Sequence, residues 1–100
     1  MTEQRLQQKD RIILVGDKPF VNYVTSVSFQ FIQEQADEVV IKARGKYTSR
    51  AIDVAEVAAK KFLNGIVEVT NIKIDSVEHE KEGRKIRVSA IEITLRRKKE

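Results

Sequence analysis

The apolar positions of this chain change spacing several times, and each spacing predicts a different element. Ile12-Ile13-Leu14-Val15 is a short, continuously apolar and largely β-branched run that stops at Gly16, which reads as a central strand buried on both faces. After the loop Gly16-Asp17-Lys18, Pro19 suits the first position of a helix, where its fixed φ and missing N–H do no harm. Phe20, Val24, Val27 and Phe31 then recur at steps of three and four. Val21 and Ile32 widen that stripe, while Gln30, Gln33, Glu34 and Gln35 take the opposite side. Val39-Val40-Ile41 is a second apolar strand that runs directly into Lys42-Ala43-Arg44-Gly45-Lys46. Ser49 is placed to cap a second helix, whose stripe of Ala51, Val54, Ala55, Ala58 and Phe62 ends before Asn64-Gly65. Its small face, with Ala59 added, allows close approach of the underlying sheet or of a second subunit.

From Val67 onward the period is two. Val67 and Val69 share one parity and Ile72 and Ile74 the other, so a bulge is expected near Thr70-Asn71. The last strand changes parity as well, from Ile86, Val88 and Ala90 to Ile91, Ile93 and Leu95. Between these strands Glu78-His79-Glu80-Lys81-Glu82-Gly83-Arg84-Lys85 holds no large apolar residue. The distal half of this hairpin therefore projects into solvent as an arm, marginally stable by itself. The summed order is βαβαββ. It predicts an α/β chain of the two-layer α+β sandwich type, with both helices on one face of a mixed sheet and an extended hairpin between the third and fourth strands.

At 100 residues with 41% apolar residues the chain fits one domain, here 11–98, preceded by a polar flexible leader, 1–10. No stretch approaches the roughly 18 apolar residues of a membrane helix, so a soluble cytosolic protein without a membrane partner is expected. The absence of cysteine removes disulfides and thiolate metal sites. No nucleophile with a base, paired acid and base, or ligand cluster can be assembled, so neither an enzyme nor a cofactor or metal site is expected.

Nineteen Lys and Arg against 15 Asp and Glu leave a net charge of +4, and the placement of that charge matters more than its size. Cations at the end of a buried strand lose less freedom on binding than cations on a tail, which makes Lys42, Arg44 and Lys46 candidates for a polyanion. Ordinary solvated charges are the alternative. Gly45 reads as a turn residue tolerating positive φ rather than as part of a phosphate loop, because the Gly-x-x-x-x-Gly-Lys pattern is missing. Tyr23 reads as core, Tyr47 is left open, Phe62 is either core or contact surface, and His79 is a solvated imidazole. Arg96-Arg97-Lys98-Lys99 reads as a basic tail that adds weak, nonspecific attraction.

Three strings in order resemble the Alba family of small archaeal chromatin proteins. Gly16-Asp17-Lys18-Pro19 with Asn22-Tyr23-Val24 is similar to the family's first loop and helix start. Ile41-Lys42-Ala43-Arg44-Gly45-Lys46 resembles its second loop, and Arg87-Val88-Ser89-Ala90-Ile91-Glu92-Ile93 its last strand. The resemblance covers nearly all of Arg11 to Lys98. It implies a fold related to the C-terminal domain of the third bacterial translation initiation factor and a homodimer that coats, bridges and compacts double-stranded DNA without base-specific readout. Lys18, Lys42, Arg44 and Lys46 are then saddle residues, Asn22 a further nucleic-acid-binding residue, and Arg84, Lys85 and Arg87 arm residues directed to minor grooves. Phe62 becomes a contact between adjacent dimers. A higher assembly, a heterodimer with a paralogue, and a chromosome-associated place in the cytoplasm are implied too.

Two positions depart from the family pattern. Asp17 stands where many members have a lysine that is acetylated, so that control is excluded here; its carboxylate near a helix N-terminus has a structural explanation in the macrodipole. Glu78, Glu80 and Glu82 alternate along the arm, which predicts that Lys81, Arg84, Lys85 and Arg87 face nucleic acid while the glutamates face water, unless the arm has another partner. RNA binding or RNA chaperoning is the alternative function, and a protein-interaction module is the alternative from another class.

Overall fold

A computed structural model describes residues 11–99, so the leader expected at 1–10 lies outside the described residues. The elements are β1 (Ile12–Leu14), α1 (Phe20–Ile32), β2 (Glu38–Arg44), a single 3-10 turn (Gly45–Tyr47), α2 (Thr48–Val57) continued by a π turn (Ala58–Phe62), β3 (Val67–Lys81) and β4 (Arg84–Arg97). One sheet has the order β1-β2-β4-β3. β1 runs parallel to β2, and both remaining pairings are antiparallel. The two helices pack together on one face of this sheet, as the element order predicts.

The core lies between α1, α2 and the central pair β2 and β4. Val24, Val27 and Phe31 of α1 meet Val39, Ile41 and Ala43 of β2, Ile91, Ile93 and Leu95 of β4, and Val54 of α2. Ala51, Ala55 and Ala58 are fully or nearly buried in the same cluster. The small face of α2 thus serves its own sheet: without long side chains the helix backbone sits close to β2 and β4.

Several expectations are corrected. β1 is an edge strand and not a central one, with Leu14 71% exposed and Ile12 also open to solvent. A β-branched run favours extended backbone, but nothing local to it specifies a neighbour on each side. Pro19 precedes the helix with ψ 141° and its carbonyl accepts the Asn22 N–H at 3.0 Å, so it is the last extended residue, one place before the helix. Val21 and Ile32 are exposed, leaving a narrower stripe than the sequence suggests. Ser49 lies inside α2, because the 3-10 turn delivers Thr48 directly into helical geometry and no side chain caps the end.

The largest correction concerns Phe62. An ideal α-helix would place it above Ala58 on the buried stripe, yet Phe62 is 57% exposed and Leu63 is fully buried. In the π turn the Leu63 N–H donates to the Ala58 carbonyl at 2.8 Å. This wider turn brings Leu63 round to the core and rotates Phe62 outward.

β3 carries the expected bulge between Val69 and Asn71, and it is the one register shift in the β3–β4 pairing. The parity change in β4 needs no bulge. Ile91, Ile93 and Leu95 face the helices, whereas Ile86, Val88 and Ala90 lie on the other side of the twisted ribbon beyond them. Glu82 and Gly83 close the hairpin with φ values of 53° and 74°, the two-residue turn whose positive φ matches strand twist.

The expected basic tail is corrected at its first two positions: Arg96 and Arg97 belong to β4, and Arg97 is a structural residue. Its guanidinium donates to the carbonyls of Phe31 at 2.6 Å and Ala36 at 3.0 Å, and lies 5.8 Å from the Phe31 ring centroid. A cation closing the C-terminal end of α1 satisfies orphan carbonyls and complements the helix dipole. Arg96 pairs with Glu38 on the neighbouring strand.

Candidate nucleic-acid interface

Both basic loops leave the sheet at the same end. The first follows β1 and carries Lys18; the second ends β2 and carries Arg44 and Lys46. Strand alternation, fixed by the pairing of Lys42 with Glu92 and of Arg44 with Ala90, sends Lys42 and Arg44 to the open face, away from the helices. There a groove of about 600 Å³ includes Leu14 and Gly16 from the first segment, Lys42, Arg44 and Tyr47 from the second, and Lys73, Asp75 and Glu92 from β3 and β4. Gly45 suits the bend better than a residue with a side chain. Its φ is +56°, and a β-carbon there would lie 3.3 Å from Val88 Cγ1, so both backbone geometry and space oppose a side chain.

The cations differ in how freely they can meet a ligand. Among the described residues Lys18, Arg44 and Lys46 make no ion pair, and Lys18, Arg44 and Lys46 are all exposed. Lys46 sits over the Tyr47 ring at 5.4 Å, which gives Tyr47 a role in supporting the loop. Lys42, by contrast, is half-buried and holds Glu92 at 3.6 Å. An incoming phosphate would have to displace that carboxylate. Sequence spacing grouped Lys42 with Arg44 and Lys46, and the cross-strand partner separates it from them.

Lys18 and Asn22 lie together beside β1, where they share a shallow hollow with Tyr23, Thr25 and Ser26. Tyr23 is buried, as expected, and its hydroxyl also reaches the first loop, accepting from the backbone N–H of Gly16 and of Lys18. Arg50 of α2 reaches back to the same loop and donates to the Lys18 carbonyl. Nothing in the sequence spacing assigns Tyr23 or Arg50 to this surface, because the contacts join residues 5 to 32 positions apart.

The arm corrects the expected division of its charges. In antiparallel register, directly opposed residues share a face. Glu78 opposes Arg87 and Glu80 opposes Lys85, so these glutamates lie on the same side as two of the three proposed arm cations. Arg87 and Glu78 form an exposed pair at 3.8 Å. Arg84 opposes Lys81 on the other side, next to His79 and Ile86. The glutamate-free face of the arm is therefore cationic only near its tip.

A separate apolar surface runs along the helix side of β3. Ile52 of α2 and Ile72 and Ile74 of β3 are exposed there, Ile74 at 77%, with Phe62 and Val69 exposed as well. By register Ile72 and Ile74 stand beside buried Ile93 and Ile91, so they continue the core outward past the edge of the helix layer. Among the described residues no cluster of three or more His, Cys, Asp or Glu could hold a metal, and no helix is long and apolar enough to cross a membrane.

Comparisons with known proteins agree with this architecture. The Alba family profile matches residues 11–76. A DNA/RNA-binding protein Alba of Nanoarchaeum equitans is 53% identical over 88 residues, covering 86% of this chain and 97% of the relative. Its counterpart from Methanocella arvoryzae is 50% identical over 90 residues, covering 89% and 92%. Alba from Thermoplasma volcanium superposes with a TM-score of 0.79 at 44% identity, over 86% of this chain and 99% of that one. ALBA1 from Trypanosoma brucei has a TM-score of 0.67 at 22% identity, over 87% and 68%, and shares the fold. With a matching profile over more than half its length and relatives near half identity across nearly their whole length, the chain belongs to the Alba family.

Proposed function

We propose that this protein binds nucleic acid through its sugar-phosphate backbone, with double-stranded DNA the main partner, and that it coats, bridges and compacts DNA as a homodimer without sequence preference. The observation that carries the reading is that two basic loops leave the same end of the sheet with exposed cations, Lys18, Arg44 and Lys46, free of ion pairs among the described residues, and that the Lys18 backbone is braced by Tyr23 and Arg50. Its relatives are named DNA/RNA-binding proteins. Asn22 adds an amide beside Lys18, Lys42 joins only after leaving Glu92, and Arg84 at the arm tip takes precedence over Lys85 and Arg87 for a minor groove. The binding unit spans 11–98, acts without catalysis, and works on the chromosome in the cytoplasm.

The exposed Ile52, Ile72 and Ile74 supply an apolar face for the second copy, and Phe62 with Val69, at the other end of α2, supports contact between neighbouring dimers, whether of one chain or with a paralogue. Sedimentation at micromolar concentration tests the dimer, and a persistent monomer removes it. RNA is the second reading, because backbone charge and duplex shape, which a phosphate-directed surface senses, are common to both nucleic acids.

The deciding experiment is fluorescence anisotropy with matched DNA and RNA duplexes across a salt series, comparing wild type with a Lys18→Ala/Arg44→Ala/Lys46→Ala variant. Wild type should show a steep log-log salt dependence on DNA, and the variant should lose about 0.9 in slope for each phosphate contact removed. Tighter RNA binding would favour the RNA role. Weak, salt-independent binding to both would overturn the reading in favour of a protein partner.

A further inference from the structure

The first loop is held in a way that its length and composition do not require. Two of its backbone donors, the N–H groups of Gly16 and Lys18, converge on one oxygen, the Tyr23 hydroxyl, at 2.9 and 3.0 Å. Accepting both uses the two lone pairs of that oxygen, so the hydroxyl is committed to the loop. The ring beneath it is buried in the core beside Val24 and Val27 and cannot follow a moving loop. From the other helix, α2, Arg50 donates to the Lys18 carbonyl at 2.6 Å. Arg50 lies in the first turn of α2, which emerges from the second basic loop through Gly45–Tyr47.

We infer that Tyr23 and Arg50 are positioning residues, which fix Lys18 relative to Arg44 and Lys46 so that the two loops meet a nucleic-acid backbone as one preformed surface. This deepens the nucleic-acid reading and rests on it. The physical argument is entropic: phosphates have fixed spacing, and a surface whose cations already hold matching positions loses less conformational freedom on binding. A loop that samples many conformations binds with an affinity reduced by the fraction of time it is competent. Tyr23 anchors the loop to the core, and Arg50 couples it to the second loop across the chain. Neither role needs the Tyr23 hydroxyl to touch the ligand.

The test is a double-mutant cycle on duplex DNA, using Tyr23→Phe and Arg50→Ala, each with and without Lys18→Ala, read by anisotropy over a salt series. Tyr23→Phe keeps the ring and removes only the acceptor, and the thermal midpoint of each variant checks the fold. In the presence of Lys18 each variant should weaken binding by about 3- to 10-fold, the range expected when one or two backbone hydrogen bonds no longer hold the competent loop. In the Lys18→Ala background both losses should shrink to less than about 2-fold, since there is no longer a cation to position. Amide exchange of Gly16 and Lys18 in the free Tyr23→Phe protein should accelerate.

Equal losses in both backgrounds would overturn the proposal, because they would mean a general structural effect or, for Arg50, a phosphate contact of its own with a further fall in salt slope. Full affinity for Tyr23→Phe alongside weakened Lys18→Ala would reject positioning while leaving the nucleic-acid reading intact. Full affinity for Lys18→Ala would remove the role of this loop in binding and the inference with it.

Discussion

The body loops and the hairpin arm both present cations, but the surrounding structure treats them in opposite ways. Lys18 stands on backbone braced by Tyr23 and Arg50, Arg44 and Lys46 flank the Gly45 bend, and no carboxylate is paired with any of the three among the described residues. On the arm, β3 beyond Val67 is exposed apart from a half-buried Val77, and Arg87 and Lys85 lie opposite Glu78 and Glu80. Cation number alone therefore does not say which charges are free to meet a ligand. On the proposed reading, braced and unpaired charge supplies affinity, whereas charge facing carboxylates on an exposed ribbon supplies reach.

The contrast breaks most visibly in stability. Leu95→Ala, which empties a fully buried site on β4, should destabilise by about 2–5 kcal/mol in urea unfolding, while Ile72→Ala on the exposed stretch of β3 should fall within about 0.5 kcal/mol when measured on monomer. A large loss at Ile72 under those conditions would show that the ribbon is better supported than its exposure indicates. Gly45→Ala comes next. With positive φ and the 3.3 Å approach to Val88, it should lose about 1–3 kcal/mol and weaken duplex binding, because the strain falls at the bend that carries the proposed contacts of Arg44 and Lys46.

Glu92→Gln sharpens the comparison from the opposite direction. Releasing Lys42 from its carboxylate should tighten DNA binding by about 2- to 5-fold and steepen the salt slope by up to about 0.9, both measured by anisotropy. An unchanged affinity would mean that Lys42 stays directed along the sheet whatever its partner. The smallest effect belongs to the arm: Arg84→Ala should reduce affinity by about 2- to 3-fold and exceed Arg87→Ala, because Arg87 is already engaged by Glu78 and is less free to meet a phosphate. If Arg87→Ala is the more damaging, the face bearing the glutamates is the one that meets the ligand.

Much of the fold was legible because it depends on neighbours in sequence. The α1 stripe of Val24, Val27 and Phe31, the bulge at Val69/Asn71, the solvent-directed arm and the positive φ at Gly45 all follow from residues within a few positions of one another. Phe62 was legible only as a choice between core and contact surface. Its exposure depends on the Leu63-to-Ala58 hydrogen bond, a local event, but one stabilised by the room that the core leaves for Leu63.

The site was legible in residue type and not in state. Sequence named Lys18, Asn22, Lys42, Arg44, Lys46, Arg84, Lys85 and Arg87 and could not separate the free from the paired. By itself the sequence determined the order of elements, the two-layer class, the turn glycines and the concentration of positive charge at two loops, because periodicity, backbone preference and charge are properties of short segments. The assembled fold alone settles that β1 lies at an edge, that Lys42 holds Glu92, that Arg97 closes α1 and that Tyr23 and Arg50 hold one loop from two different helices. Each of these depends on which strands become neighbours and in what register, and that is settled by burying one shared core, to which every segment contributes at once.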